Sequence, residues 1–551
     1  MNTTPRSPWQ THEVFNQATP LVDYNLYATD RVLREAVERE GGGWAGASLT
    51  EAGAVLGRAE TFELGRQANE YPPRLRSFDR FGHRIDGIEF HPAWHELMTG
   101  LIGRGLHGAP WAEPVAGAHV ARAASFFLQT QVEAGTLCPT TMTYGSIPAM
   151  AKNPVLAGEW LPTLLSREYD PRDLPLNQKR GGLVGMGMTE KQGGSDVRAN
   201  TTVAVPAEGG TSYRLTGHKW FFSAPQCDAH LVLAQAPGGL SCFFLPRWRP
   251  DGTRNAIRIQ RLKDKLGNKS NASSEVEFQD AYALLLGEEG RGIPTILEMG
   301  TYTRLDCVLG SSGMMRQSVA QALHHAHGRR TFGKRLIEHD LMRNVLADLA
   351  LESEAATMLA LRLARAFDAQ TDPAETAFRR LLTPAAKYWV CKRGPELAAE
   401  AMEVFGGNGY VEDGILARIY REMPVNSIWE GSGNIMCLDV LRALGKTPEA
   451  AAVVEAELRP ALGADRRFDG FVQRLQASLA RTDAREARAR RLTQDLILAI
   501  QAALMLRFAP AASADAFIAT RLDRDWGYSF GTLPAGADVS GILARAWAEG
   551  Q

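Results

Sequence analysis

Residues 201–223 have the sequence TTVAVPAEGGTSYRLTGHKWFFS, in which short runs of β-branched and aromatic residues are separated by glycine and proline. Similar runs recur up to about residue 290, and each is short enough for one strand. They are residues 201–205, 213–216, 219–223, 231–234, 242–245 and 275–278. Short strands with turn signals between them are typical of a small all-β unit. The sequence therefore predicts a β-barrel or sandwich over residues 182–290.

Helical periodicity dominates on both sides of this β-domain. Before it, Thr29 and Asp30 are suited to cap a helix that ends at glycines 41–43, and residues 118–134 predict another helix. After it, long stretches rich in Ala, Leu and Met predict a four-helix bundle. They cover residues 303–328, 341–369 and 384–404.

We expect an α+β protein that is mainly α and has four domains. These are an N-terminal helical domain (1–181), the middle β-domain (182–290), a helical bundle (291–446) and an extra helical domain (447–551). The length of 551 residues is compatible with this number. The hydrophobic content of 45% and charged content of 22% are ordinary globular values, which argue against disordered and fibrous classes.

The sequence lacks the marks of membrane insertion and secretion. The longest apolar stretch, residues 496–506, is shorter than the roughly 20 residues that cross a bilayer. The N-terminus has no basic start followed by an apolar run. The 6 cysteines are scattered, with no Cys-x-x-Cys pair. We therefore expect a cytoplasmic protein with reduced thiols, no disulfide framework and no zinc site.

Two motifs in the β-domain carry residue types suited to a ligand. Residues 188–196, MTEKQGGSD, contain a glycine pair that allows backbone N–H groups to approach an anion, although a surface turn explains it equally well. Residues 218–223, HKWFFS, place aromatic rings on both faces of a strand. One face can then present a flat wall to a planar cofactor, while ordinary strand core is the simpler explanation of this segment alone.

Three further motifs follow in the helical part. Residues 329–334, RRTFGK, suit either a helix C-terminus or a pyrophosphate clamp. Residues 406–410, GGNGY, suit a capping turn or a close approach to phosphate. In residues 426–434, NSIWEGSGN, Glu430 follows Ile428 and Trp429. Partial burial there raises a carboxyl pKa toward the working pH of a general base.

The five motifs in this order resemble the acyl-CoA dehydrogenase flavoprotein family over about residues 130–445. Within that family, MTEKQGGSDV and PVNSIWEGSGNIM resemble the AidB branch, which is linked to the adaptive response to DNA alkylation. The long N-terminal part and the extra C-terminal domain are similar to that branch as well.

The resemblance implies FAD as cofactor and an acyl-CoA thioester as substrate. Glu430 would remove the α-proton while the β-hydrogen leaves as hydride to the flavin. The implied cofactor contacts are Met188, Thr189, Ser195, Phe221, Ser223, Arg329, Phe332, Gly406, Gly407, Ser432 and Asn434. Ser195 and Arg304 would also lie beside the substrate. Arg329 and Phe332 would contact the FAD of a neighbouring subunit, which implies a homotetramer, a dimer of dimers.

The C-terminal extension contains a basic segment despite the overall net charge of −1. Residues 459–491 hold nine Arg and four acidic residues. If this segment is one helix, four of these Arg lie within about 60° of one another on its surface. They are Arg474, Arg481, Arg485 and Arg488. Such a stripe suits a phosphate backbone, while a solvated face or a subunit contact explains it as well; the AidB resemblance implies double-stranded DNA.

Two functions remain open at this point. The protein is either a working dehydrogenase for a short or branched acyl-CoA, or mainly a DNA-protective flavoprotein. In the second case its flavin detoxifies an alkylating agent or is only structural. The base position at Glu430 favours the first function, and the basic segment favours the second.

Overall fold

The computed structural model describes residues 9, 11–207, 209–210, 212–447, 449–523 and 525–547. The N-terminal part is built mostly from helices. They are α1 (Arg31–Arg39), α2 (Gly46–Leu56), α3 (Ala59–Glu70), α4 (Pro92–Gly103), α5 (Ala109–Ala112), α6 (Ala118–Thr130), α7 (Leu137–Ala151) and α8 (Pro154–Leu164). Asp30 caps α1 by accepting a hydrogen bond from the N–H of Leu33, as its place before the apolar periodicity predicts.

A β-hairpin interrupts these helices, which the sequence analysis missed. Strands β1 (Arg74–Phe78) and β2 (Arg84–Glu89) pair antiparallel, and Leu75 and Ile88 pack against the core of the β-domain. Arg84 donates a hydrogen bond to the carbonyl oxygen of Ile259 at 2.7 Å. The hairpin therefore extends the β-domain from a distant part of the chain.

The middle domain is a seven-stranded sheet that closes on itself as a barrel. Its strands are β3 (Val184–Gly187), β4 (Val203–Pro206), β5 (Tyr213–Ser223), β6 (Ala229–Ala236), β7 (Gly239–Pro246), β8 (Ile257–Leu262) and β9 (Ser273–Leu286). The sheet closes because β7 pairs with both β6 and β9. Its core is apolar, with Leu215, Val232 and Phe278 among the buried side chains.

One long strand, β5, replaces the two runs expected at 213–216 and 219–223. The strand continues through Gly217, whose φ is +153°. A Cβ at this position would lie 2.6 Å from the Cα of Thr202, so only glycine allows the two backbones to approach this closely. A register shift next to Gly217 accommodates the irregularity in the pairing with β9.

The helical bundle follows the barrel. Its long helices are α9 (Gly292–Gly328), α10 (Asp340–Asp368) and α11 (Pro373–Val404), with the short hairpin β10 (Arg330–Thr331) and β11 (Lys334–Arg335) after α9. The short α12 (Gly407–Tyr410) precedes α13 (Ile415–Asn426) and α14 (Gly433–Lys446). The helix α13, which packs against α9 and α11, is the fourth member of the bundle.

Two of the long helices begin earlier than the sequence predicts. The helix α9 begins at Gly292 rather than 303, and α11 begins at Pro373 rather than 384. In α11 the Asp372 side chain accepts from the N–H groups of Ala374 and Glu375, which stabilises the true start. The helix then runs through Pro384, the residue at which the sequence predicts its beginning.

The C-terminal domain contains α15 (Ala450–Leu458), α16 (Arg466–Ala480), α17 (Arg485–Phe508), α18 (Ala511–Phe517) and α19 (Val539–Ala546). Buried ion pairs attach it to the bundle helix α10. Arg521 lies 2.6 Å from Asp348 and 3.1 Å from Glu352, and Arg545 lies 2.6 Å from Glu354. Removal of one partner would leave the other charge buried and unpaired, which is strongly destabilising. The C-terminal domain is therefore an integral part of the fold.

The expectation that Arg474, Arg481, Arg485 and Arg488 share one helix is wrong. The chain breaks between α16 and α17, where Ala484 has a φ of +47°. Arg488 folds back over the break and donates to the carbonyl oxygens of Arg481 and Asp483. Asp483 also pairs with Arg481 at 2.7 Å. The contacts of Arg488 and Asp483 stabilise this turn locally. Helical periodicity therefore does not predict it.

None of the described helices is long and apolar enough to cross a membrane. Within the same residues, no group of three or more His, Cys, Asp and Glu side chains could hold a metal ion.

Candidate active site

Glu430 lies in the tight connection between α13 and α14. Its φ is +58°, in the left-handed region, and Gly431 follows with a φ of +103°. Two cationic side chains hold the carbonyl groups of this strained turn: Arg304 on α9 donates to the oxygen of Glu430 at 3.0 Å, and Lys387 on α11 donates to that of Gly431 at 2.8 Å. Lys387 is only 1% exposed. The bundle therefore fixes the backbone that carries the carboxylate.

The carboxylate of Glu430 is removed from water but held by a hydroxyl. Burial raises the pKa of Glu430, while a hydrogen bond from Thr303 and the charges of Arg304 and Lys387 lower it in part. The Thr303 Oγ1 donates to Glu430 Oε2 at 2.7 Å. The net effect is a pKa above the usual value, which makes the carboxylate a stronger base than an exposed one.

An aromatic wall on β5 forms a second part of the site. Phe221 is 50% exposed on this strand, and Ser223 lies two residues further on the same face. The loop that begins at Met188 and Thr189 is tied to the wall, because Trp220 N–H donates to the carbonyl oxygen of Thr189 at 2.8 Å. A ring left half uncovered beside a hydroxyl is a surface that a planar ligand can cover.

A buried ion pair supports this loop from below. Glu190 and Lys219, both fully buried, lie 2.7 Å apart. The Glu190 carboxylate also accepts from the N–H of Thr201 at 2.7 Å and from the Oγ1 of Thr202 at 2.6 Å. Burial raises its pKa, but the charge and hydrogen bond of Lys219 outweigh burial, so the pKa lies well below the usual range. The sequence predicts no role for this pair, although both residues lie within the quoted motifs.

Cys138 on α7 connects the wall with the base. The Ser223 hydroxyl lowers the pKa of its thiol, and the charge of Glu430 raises it. Burial raises the pKa of Cys138 to about 12, so it stays a neutral thiol. The structure therefore brings Ser223 and Glu430 to one region. Nothing in the local sequence of α7 distinguished Cys138.

Four predicted cofactor residues lie neither on the Glu430 turn nor on β5. Phe332, 97% exposed, is at the tip of the β10–β11 hairpin, next to Arg329. Gly406, with a φ of +60°, precedes α12, and Gly407 is its first residue; both are exposed. Along α9, Arg329 is separated from Thr303 by roughly 40 Å, at 1.5 Å per residue. One chain therefore does not bring Arg329 to Glu430.

The remaining predicted residues surround the start of α14 and the loop of β3. Ser432 is the residue before α14, and Asn434 lies in its first turn with an exposed side chain. Asn434 Oδ1 accepts a hydrogen bond from Arg490 of α17 at 2.8 Å. Ser195 is exposed in the loop after β3. Arg490, a residue of the extra domain, was missed because its sequence neighbours are other arginines.

Comparisons with known proteins agree with this arrangement. Residues 16–171 match the model of the adaptive response protein AidB N-terminal domain. Residues 185–281 match the acyl-CoA dehydrogenase middle domain, and residues 290–445 match the acyl-CoA dehydrogenase C-terminal domain.

Individual relatives extend the similarity to most of the chain. The putative acyl-CoA dehydrogenase AidB of Escherichia coli is 55% identical over 94% of this chain and 95% of its own length. Acyl-CoA dehydrogenase family member 11 of Caenorhabditis elegans is 31% identical over 78% of this chain and 72% of its own. The crystal structure of C. elegans ACDH-11 in complex with C11-CoA superimposes with a TM-score of 0.83 and 26% identity, covering 98% of this chain and 94% of that one.

The side chains present fit the flavin cofactor of this family. Phe221 offers a half-exposed aromatic ring, with the Lys263 ammonium 4.8 Å from its centre, and Ser223 offers a hydroxyl on the same strand. A Cβ at Gly407 would meet no atom within 4 Å, which leaves open backbone for a phosphate group. The mainly helical fold with a central barrel is also the expected one. The chain therefore belongs to the acyl-CoA dehydrogenase family, of the AidB type, and is an FAD-dependent oxidoreductase of the class that acts on CH–CH groups.

Proposed function

We propose that the protein oxidises an acyl-CoA thioester between Cα and Cβ, with Glu430 as the base that takes the α-proton. The observation that carries this proposal is the clamped, partly desolvated carboxylate of Glu430 in a turn held by Arg304 and Lys387. FAD, when bound, supplies the acceptor for the hydride that leaves Cβ. The C. elegans structure with C11-CoA supports the substrate class.

The backbone of the same turn can bind the thioester. Its two carbonyl groups are occupied by Arg304 and Lys387. Among the residues that the structure describes, no acceptor is hydrogen-bonded to the N–H of Glu430. Such an N–H, held by a rigid turn, can donate to the thioester oxygen as charge develops there. Anaerobic titration with a series of acyl-CoAs, C11-CoA among them, tests the proposal, because a substrate bleaches the visible absorbance of the flavin.

Thr303→Val is expected to shift the acid limb of the pH–rate profile to higher pH by roughly one unit. The reaction needs Glu430 unprotonated, so its rate falls as the pH decreases through the raised pKa of Glu430. Loss of the Thr303 hydroxyl removes a donor that lowers this pKa, so the fall occurs at a higher pH. The rate of anaerobic flavin reduction against pH measures the shift.

Thr301→Val is the matched control for this prediction. The Thr301 hydroxyl lies on the same helix but donates to the carbonyl oxygen of Leu297. We expect its profile to follow that of the unmodified protein. Equal profiles for both variants would argue against a role of Thr303 in setting the basicity of Glu430.

We also propose that the protein is a homotetramer, a dimer of dimers, in which the β10–β11 hairpin reaches a neighbour's flavin. The support is the exposed Phe332 and the distance of Arg329 from the base within one chain. An apolar ring that is almost fully exposed at a hairpin tip suits a contact with another subunit. Sedimentation equilibrium reports the oligomeric state directly.

A second proposed function is the binding of double-stranded DNA in the response to alkylation damage. Three of the four predicted arginines support it, because Arg474, Arg481 and Arg485 are exposed around the break between α16 and α17. Arg488 contributes instead to the turn, through its bonds to backbone carbonyls. The match to the AidB N-terminal domain supports the link to alkylation.

The triple replacement of Arg474, Arg481 and Arg485 by Gln is expected to weaken DNA binding. The slope of the logarithm of the binding constant against the logarithm of the salt concentration should decrease in magnitude by about three. Fluorescence anisotropy of labelled duplex DNA at several salt concentrations measures the slope. Substitution is a cleaner test than deletion of 447–551, since deletion strands the buried Asp348 and Glu352.

A triple variant with the same charge change provides the control for the DNA experiment. Arg31, Arg66 and Arg76 are exposed on the N-terminal domain. Their replacement by Gln should leave the salt slope of DNA binding within experimental error of the unmodified protein. If both triple variants reduce the salt slope of DNA binding by the same amount, the C-terminal surface is not the site of DNA contact.

A further inference from the structure

The extra C-terminal domain places one arginine beside the base-bearing turn of the core. Arg490, in the second turn of α17, donates through Nε to the side chain of Asn434 at 2.8 Å. Its guanidinium also lies 5.9 Å from the centre of the Tyr388 ring. Because these contacts engage one nitrogen and the ring, the two terminal nitrogens of the fork stay available for a bidentate acceptor.

Lys392 brings a second cation to the same place. A Cβ on Gly433 would lie 2.8 Å from Lys392 Cε and 3.3 Å from Nζ, so the lysine occupies the space that a side chain at 433 would fill. Both Lys392 and Arg490 lower the pKa of the Cys437 thiol, which burial raises. Two basic side chains from different domains therefore converge on the first turn of α14.

The two cations lack the acidic partners that other arginines of the C-terminal domain have. Arg491 pairs with Asp495 at 3.0 Å and Arg467 pairs with Asp465 at 2.6 Å. Across the described residues, no salt bridge joins Arg490 or Lys392 to a carboxylate. The first turn of α14 contains no acidic residue, and Ser432 makes no capping bond with its side chain. Unpaired positive charge of this kind favours an anion.

We propose that Arg490 and Lys392 form a binding site for the diphosphate of an adenosine diphosphate group, that of FAD. A diphosphate offers the paired oxygens that a guanidinium fork recognises, and Asn434 holds this fork at the correct place. The inference rests on the predicted cofactor role of Ser432 and Asn434. Since α17 belongs to the extra domain, that domain contributes directly to cofactor retention.

The test measures FAD release from the holoprotein carrying Arg490→Gln. Dilution of the holoprotein, followed by the fluorescence of free flavin, gives the Kd for FAD without any turnover. We expect the Kd to rise roughly tenfold, as the loss of one charged hydrogen bond predicts. Arg490→Lys should recover part of the affinity, because it restores the charge without the fork.

Arg491→Gln is the matched control, since its side chain is adjacent in sequence but pairs with Asp495. Its Kd for FAD should equal that of the unmodified protein. CoA also carries an adenosine diphosphate, so C11-CoA is titrated into the variants saturated with FAD. A rise in the Kd for C11-CoA alone assigns the site to CoA and overturns the FAD assignment. Equal Kd values for Arg490→Gln and Arg491→Gln in both assays overturn the site altogether. Failure of acyl-CoAs to reduce the flavin would overturn the proposed function but leave the FAD measurement valid.

Discussion

Glu430→Gln is expected to abolish reduction of the bound flavin by an acyl-CoA, with a rate loss of about a thousandfold or more. Glutamine keeps the size of the side chain and can still accept the hydrogen bond from Thr303. It cannot accept the α-proton, so the hydride transfer that depends on proton removal stops. Stopped-flow absorbance of the flavin, mixed anaerobically with saturating acyl-CoA, measures the rate.

Glu422→Gln is the control for this variant. Glu422 lies on α13, close in sequence, and burial raises its pKa as it does that of Glu430. Its carboxylate accepts instead from the side-chain amide of Asn268 at 2.8 Å. We expect this variant to retain flavin reduction.

The outcome of the Glu430 experiment also separates the two functions left open by the sequence. A Glu430→Gln protein that reduces its flavin at the normal rate would contradict the assignment of the base. If no acyl-CoA bleaches the unmodified protein, the detoxification of an alkylating agent becomes the better account of the flavin. Retained flavin in Glu430→Gln is required for either conclusion, and its absorbance spectrum shows it.

The catalytic position could be predicted from the sequence, but its supports could not. Glu430 stands out locally because it lies between Trp429 and Gly431. The side chains that hold its turn come from elsewhere: Arg304 precedes Glu430 by 126 residues, and Lys387 precedes Gly431 by 44. Contacts over such separations depend on how the helices pack, which periodicity alone does not specify.

The β-domain was predictable because its signal is local. Turn residues between short β-branched runs placed most strands of the barrel at the correct positions, as for 231–234 inside β6. The β1–β2 hairpin was missed because its alternating apolar residues, such as Leu75 and Ile88, are few and lie among predicted helices. The arginine stripe failed for the opposite reason, since a helical pattern was extended across a break that Asp483 and Arg488 create.

The sequence does not predict that Glu190 and Lys219 form a buried pair. Disruption of this pair nevertheless has the largest expected effect on the stability of the protein. Glu190→Gln is expected to destabilise the barrel by about 3–5 kcal/mol, because Lys219 then loses its carboxylate partner while burial, which lowers its pKa to about 8 even with that partner present, makes the charged amine costly. The loop that carries Met188 and Thr189 loses its anchor at the same time, so the flavin should be released more readily. The urea midpoint of the Trp fluorescence, at matched FAD concentration, measures the change.

An exposed ion pair and a double variant make the Glu190 prediction specific. Glu63→Gln disrupts the ion pair between Glu63 and Arg66, in which both side chains are about half exposed. It should lower the free energy of unfolding by less than about 1 kcal/mol. Replacing both buried partners, as Glu190→Leu with Lys219→Met, removes both charges from the interior. Apolar replacements of similar volume avoid the cost of an unpaired buried charge, so the double variant should be more stable than Glu190→Gln alone. A Glu190→Gln protein no less stable than Glu63→Gln would show that Lys219 finds another partner or water, and that the loop does not depend on the pair.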